Sequence, residues 1–138
     1  MSQQNHEARE LALKFLYQCE TDRMFYFSQG HFRDFARYLD KTGGVVERAG
    51  VLCEIVFASQ NEIDKQIESV AEHWPLHRMA ITDRLTLRLA AAEILEDKTP
   101  VKVILNEAIE LAKRYGTQNS ARFVNGLLDS MVKDKLEN

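Results

Sequence analysis

A chain of 138 residues with 45% hydrophobic and 28% charged side chains has the composition of one globular domain with a continuous core. Its net charge of −3 excludes a protein held to nucleic acid by overall charge, so any such contact has to come from a local patch. No apolar run is long enough to span a bilayer, and MSQQNHEARE lacks the basic and then apolar order of a signal peptide, so a cytoplasmic protein is expected.

The first helix is expected over residues 5–20, where Ala8, Leu11, Ala12, Phe15, Leu16 and Cys19 repeat at helical spacing and form one core face. Arg9, Leu13 and Tyr17 are spaced by four on another side. They either pack on a neighbouring helix or make an exposed Arg–Tyr row able to pair with phosphate and stack on a base. Met24 to Phe27 read as a plug at a core edge, with a homodimer contact as the alternative. Ser28 can cap a second helix carrying Phe32, Phe35, Ala36 and Leu39, which Thr42, Gly43 and Gly44 stop.

From 45 to about 72 the positions Ala49, Leu52, Val56, Ser59, Ile63, Ile67 and Val70 recur at three and four and predict one long helix, with Gly50 tolerable where another helix comes close. Pro75 ends it, and Trp74, the only tryptophan, reads as a core anchor. A helix over 82–97 follows, with Thr82 or Asp83 as its cap and Ala90, Ala91 and Ala92 leaving room for a close neighbour. Thr99 as N-cap and Pro100 at the first helical position open the next helix. It carries Val101, Ile104, Leu105, Ala108, Leu111, Ala112 and Tyr115, and Gly116 closes it as a residue tolerant of positive φ. After the polar turn Thr117 to Ser120, the last helix carries Ala121, Val124, Leu127, Leu128 and Met131. Gly126 inside it predicts a closely packed neighbour. These six or so helices, with no strand, predict an all-α domain in two small bundles.

Chemistry-bearing motifs are sparse. His6, His31, His73 and His77 form no zinc spacing, and Gly43–Gly44 is not followed by a phosphate-loop GK[ST]. Cys19 and Cys53 lie on apolar stripes and read as buried free thiols. No catalytic group, metal or cofactor is expected. KRYGTQNSARF stands out, because Lys113, Arg114 and Arg122 surround a turn and a helix N-terminus, with Tyr115 and Phe123 beside it. Cations, rings and polar amides together are what single-stranded RNA recognition uses.

Three blocks resemble the NusB family of transcription antitermination factors. They are ARELALKFLYQ (8–18), WPLHRMAITDRLTLRLAAAEIL (74–95) and PVKVILNEAIELAKRYGTQNSARFVNGLLD (100–129). The resemblance implies one NusB-like domain over 1–138, of about six or seven helices in two bundles. It implies a non-enzymatic factor that binds the boxA element of nascent RNA together with the ribosomal protein NusE. In that role it supports ribosomal RNA transcription within the elongation complex. The matching RNA positions are Arg9, Tyr17, Lys113, Tyr115, Asn119, Ser120, Arg122 and Phe123, and Asp83 matches a protein-partner position. One departure is clear. Family members commonly carry arginines just before the ARE, and this chain has Ser2 to Glu7 there without one. Lost phosphate contacts weaken binding and flatten its salt dependence, so the alternative is a divergent NusB-like protein-interaction module with weak or no RNA binding.

Overall fold

The computed structural model describes residues 2–137, and among them the chain forms seven α-helices, one 3-10 turn and no strand. Helices α1 (Ser2–Asp22), α2 (Gln29–Tyr38) and α3 (Gly43–Ala58) make a first unit that ends at Ala58. A second unit starts at Ser59. It holds α4 (Gln60–Val70), the 3-10 turn Leu76–Arg78, α5 (Ile81–Glu96), α6 (Val101–Tyr115) and α7 (Ser120–Glu137). The all-α expectation holds, but the long helix expected over 45–72 is two. Ser59, at φ −114° and ψ 20°, leaves the helical path, and its carbonyl then accepts the Ile63 N–H at 2.9 Å as α4 begins. The apolar stripe runs on through the break, from Leu52 and Val56 to Ile63 and Ile67, so periodicity alone does not reveal it.

In the first unit α1 packs chiefly on α3, and α2 touches both. The expected face of α1, Ala8 to Cys19, is buried, and Leu13 is buried too. Phe15 is the hub of a ring cluster. Phe32 and His31 lie edge-on to it at 5.1 Å, with Phe35 at 5.4 Å and Phe27 at 6.3 Å. Gly50 lies where Phe32 crosses α3, and a Cβ there would sit 3.1 Å from the ring, tighter than ordinary contact. Both cysteines are free and buried, and the Cys53 thiol donates to the Ala12 carbonyl at 3.8 Å. Burial, helped by the Asp22 carboxylate, pushes the Cys19 thiol up to about 11. Burial first and the neighbouring Cys19 second push Cys53 up as well, so both stay protonated and poorly nucleophilic near neutrality.

The ends of α1 and α2 share one device. Met24 N–H bonds the Cys19 carbonyl and Arg23 N–H the Glu20 carbonyl, while Lys41 and Asp40 do the same to Ala36 and Arg37. These are Schellman closures, in which the residue past the helix takes left-handed angles. Here that residue is Arg23 or Asp40, each at φ 57°, not glycine. Ser28 caps α2 as expected, its Oγ accepting the His31 N–H at 3.3 Å. The expected plug is corrected. Phe27 alone reaches the ring cluster and Met24 is half-buried, whereas Phe25 and Tyr26 are 74% and 68% exposed.

In the second unit α4, α6 and α7 flank α5, which is buried almost all round from Asp83 to Glu93. Its three consecutive alanines permit that crowding. Arg88 on α5 holds Asp64 of α4 through two hydrogen bonds of 2.8 and 3.0 Å, and Arg84 Nη1 donates to the Leu76 carbonyl at 3.2 Å. Two boundary expectations and one burial expectation are corrected. Neither Thr82 nor Asp83 caps α5; the helix begins at Ile81, so both lie inside it and Ala80 precedes it without a side-chain cap. Pro100, not Thr99, stands before α6, and its carbonyl accepts the Val103 and Ile104 N–H groups. Trp74 is half exposed, so it is not a core anchor. Gly126 is corrected as well: it faces open space, with nothing within 4 Å of a Cβ built there. Among the described residues no helix is long and apolar enough to cross a membrane.

Candidate nucleic-acid interface

The α6–α7 turn is built on hydroxyls and one glycine. Ser120 Oγ accepts the Thr117 N–H at 2.9 Å and lies 3.3 Å from the Thr117 hydroxyl, while Ser120 N–H bonds the Thr117 carbonyl. Gly116 closes α6 through its N–H to the Ala112 carbonyl. Its φ is −99°, so positive-φ tolerance is not why glycine stands there. A Cβ would run into Ser120 Oγ, and would lie 2.5 Å from Ser120 Cβ and 2.7 Å from the Ala112 carbonyl oxygen. Close approach of the next helix demands the glycine.

This frame presents Lys113, Asn119 and Arg122 to solvent, with Tyr115 and Phe123 half-buried beside them. Arg114 lies 5.7 Å over the Tyr115 ring, and Lys113 pairs with Glu110 at 3.8 Å on the exposed face of α6. Six of the eight expected RNA positions therefore lie between 113 and 123, and the turn brings them together. Ser120 is the exception among them. It is 1% exposed and its hydroxyl is engaged inside the turn, so it shapes the surface and does not present a group to it.

Arg9 and Tyr17 belong to the first unit, eight residues apart on α1. Tyr17 is 44% exposed, but Arg9 is only 4% exposed, which corrects the reading of an exposed Arg–Tyr row. The three residues keep their spacing by four along α1, and burial removes Arg9 and Leu13 from solvent and leaves Tyr17. Asp83 lies in the first turn of α5, where the helix dipole favours a carboxylate. Its Oδ1 is buried with no hydrogen-bond partner among the described residues. Among the described residues no group of three or more His, Cys, Asp or Glu side chains is placed to hold a metal ion.

Residues 6–133 match the sequence model of the NusB family. The chain belongs to the NusB family. The transcription antitermination protein NusB of Elusimicrobium minutum is 41% identical over 135 residues, which is 93% of this chain and 92% of that protein. Among solved structures, T. maritima NusB superposes with a TM-score of 0.81 at 33% identity, covering 97% of each chain. A NusB-like chain in the crystal structure of antitermination factors NusB and NusE in complex with dsRNA superposes with the same TM-score of 0.81 at 26% identity, covering 97% of this chain and 99% of that one.

Against this NusB-family frame the block Asp83 to Arg88 divides by role. Arg84 and Arg88 are structural, tying α5 to the 3-10 turn and to α4. Asp83 alone is left with an unanswered acceptor. Of the exposed rings, Phe25 and Tyr26 are read from the sequence only as a core plug or a dimer contact, Trp74 as a core anchor and Tyr38 not at all. The signal available for the first pair was their position between two anchors, the end of α1 and the Ser28 cap.

Proposed function

We propose that this protein is a transcription antitermination factor that binds boxA-type single-stranded nascent RNA together with NusE. It acts on the transcription elongation complex and supports ribosomal RNA synthesis. The reading takes residues 1–138 as one cytoplasmic, non-enzymatic domain that needs no cofactor. The observation that carries it is membership of the NusB family over 6–133, with a whole-chain likeness to NusB in a complex with NusE and RNA.

The side chains support particular roles. Lys113 and Arg122 supply cations to phosphate, Asn119 reads polar edges, and Tyr115 and Phe123 offer ring edges at the rim of the turn. In the first unit Tyr17 offers a stacking surface. Arg9 and Ser120 act as positioning residues inside their own units. Asp83 is the protein-partner residue. A buried acceptor without a donor costs about 1–3 kcal/mol, a penalty that an N–H or cation from NusE would remove.

The test is a titration of boxA RNA and a scrambled RNA, with and without NusE, at two salt concentrations. Preference for boxA, tightened by NusE and weakened by Tyr17→Ala, is expected. With no arginines in Ser2 to Glu7, the salt slope should be shallow. Equal affinity for both RNAs under every condition would sink the reading. NusE binding without any RNA discrimination would leave the second reading, a NusB-like protein-interaction module, which the mild acidity and the unpartnered Asp83 oxygen favour.

A further inference from the structure

The loop between α1 and α2 holds two large rings out of the core under conditions that should draw them in. Its exit from α1 is pinned by the Met24 N–H to the Cys19 carbonyl at 2.9 Å. Its entry into α2 is pinned by Ser28, which accepts the His31 N–H. Just before that cap, Phe27 is anchored against Phe15, Phe32 and Phe57, with ring centres 6.0 to 6.3 Å apart. Only Phe25 and Tyr26 lie between these anchors, and both stay outside. Their exposure therefore comes from a loop fixed at both ends, which is the preorganisation a binding surface uses.

We propose that Phe25 and Tyr26 form a base-stacking platform for single-stranded RNA, extending the contact assigned to Tyr17 and resting on the RNA-binding reading above. The chemistry around them selects the occupant. The flanking exposed residues are Thr21, Asp22, Arg23 and Gln29, without one aliphatic side chain. A second copy or a protein helix would want a contiguous apolar patch at the centre of its contact. Two adjacent exposed rings between the half-buried Met24 and Phe27, beside an exposed guanidinium at Arg23, suit bases that each need one π-face and a phosphate that needs one cation. Tyr17, five residues before the end of α1, is a further exposed ring of the same unit. Stacking also answers the missing N-terminal arginines, because it adds affinity without releasing counterions.

The probe is boxA RNA carrying 2-aminopurine at successive positions, titrated into the full chain with NusE present. Phe25→Ala with Tyr26→Ala should weaken binding by roughly tenfold or more and abolish the quenching of at least one 2-aminopurine, leaving the salt slope unchanged. Phe25→Tyr with Tyr26→Phe should restore both. Both rings are exposed, so the circular dichroism of the double variant should match wild type. If the alanine variant binds as wild type while Tyr17→Ala does not, the platform is overturned and the RNA reading stands. If wild type shows no boxA preference at all, the RNA reading itself has failed, and the platform fails with it. If the alanine variant changes only the sedimentation of the free protein, the loop is a contact between copies and the proposal is wrong.

Discussion

The α1–α2 loop and the α6–α7 turn are both short connections that lift contact groups off a helical unit, but they are held in opposite ways. The first is closed by main-chain bonds from Arg23 and Met24 at one end and by the half-buried ring of Phe27 and the Ser28 cap at the other, and it displays bare aromatics. The second is closed by the hydroxyls of Thr117 and Ser120 over a glycine with no room for a methyl group, and it displays cations and amides. The difference is one of tolerance. Anchors confined to the two ends of a loop leave the side chains displayed between them free to vary, whereas a turn closed by hydroxyls within it constrains its own sequence. The first unit can thus gain or lose stacking groups without refolding, while the charged turn of the second has little latitude.

The largest expected effect tests the ring that anchors the first connection. Phe27→Ala removes the contact with Phe15, Phe32 and Phe57 and should cost about 2–3 kcal/mol, below the full penalty for a buried phenylalanine because this ring is half-buried. Urea denaturation measures it. If Phe27→Ala is as stable as wild type, the loop is not anchored there and the contrast with the other turn collapses.

Next comes the glycine of the second connection. Gly116→Ala places a methyl group against Ser120 and the Ala112 carbonyl, and overpacking of this kind costs about 1–3 kcal/mol. The double variant Gly116→Ala with Ser120→Ala distinguishes the cause. Relief of part of the penalty identifies the hydroxyl as the obstacle, and no relief points to the Ser120 Cβ and the Ala112 carbonyl oxygen, which both remain in the double variant. A melting temperature unchanged in Gly116→Ala would mean that the turn has the same latitude as the loop.

Gly126 supplies an internal control on α7, one and a half turns beyond the same junction. Open space surrounds its missing side chain, so Gly126→Ala should stabilise by about 1 kcal/mol, the usual cost of glycine in a helix interior. A thermal melt raised by a few degrees is the expected result. A lowered one would mean that α7 packs more closely at this point than the structure has it.

How much of this was readable from sequence follows from what periodicity measures. Buried stripes such as Ile104, Leu105, Ala108, Leu111 and Ala112 were legible because burial itself sets their spacing. The break at Ser59 was not, since serine carries no strong stop signal and the stripe continues on both sides. Glycines misled in both directions. Gly116 sits at a helix end but serves close approach, while the left-handed helix ends fall on Arg23, Asp40 and Asp97. For the candidate interface, residue types were legible and exposure was not. Arg9 and Ser120 are polar and buried, while Phe25 and Tyr26 are aromatic and exposed, because one anchor at Phe27 suffices to close the loop.

The smallest effect bears on the main-chain closure of the first connection. Arg23 holds φ 57°, a region that costs an L-residue roughly 1–2 kcal/mol. Glycine removes that strain but adds freedom to the unfolded chain, worth roughly 0.5–1 kcal/mol, so Arg23→Gly should stabilise by only about 0.5 kcal/mol. The same substitution removes the cation assigned to an RNA phosphate. Stability and binding should therefore move in opposite directions, with the midpoint of urea denaturation rising slightly while boxA affinity and the salt slope fall by the share of a single phosphate contact. Stabilisation with unchanged RNA binding would confine Arg23 to the helix end and leave the aromatic rings as the loop's only contacts. A loss of stability would mean that the arginine side chain itself helps close α1, and the first connection would then depend on a displayed side chain as the second does.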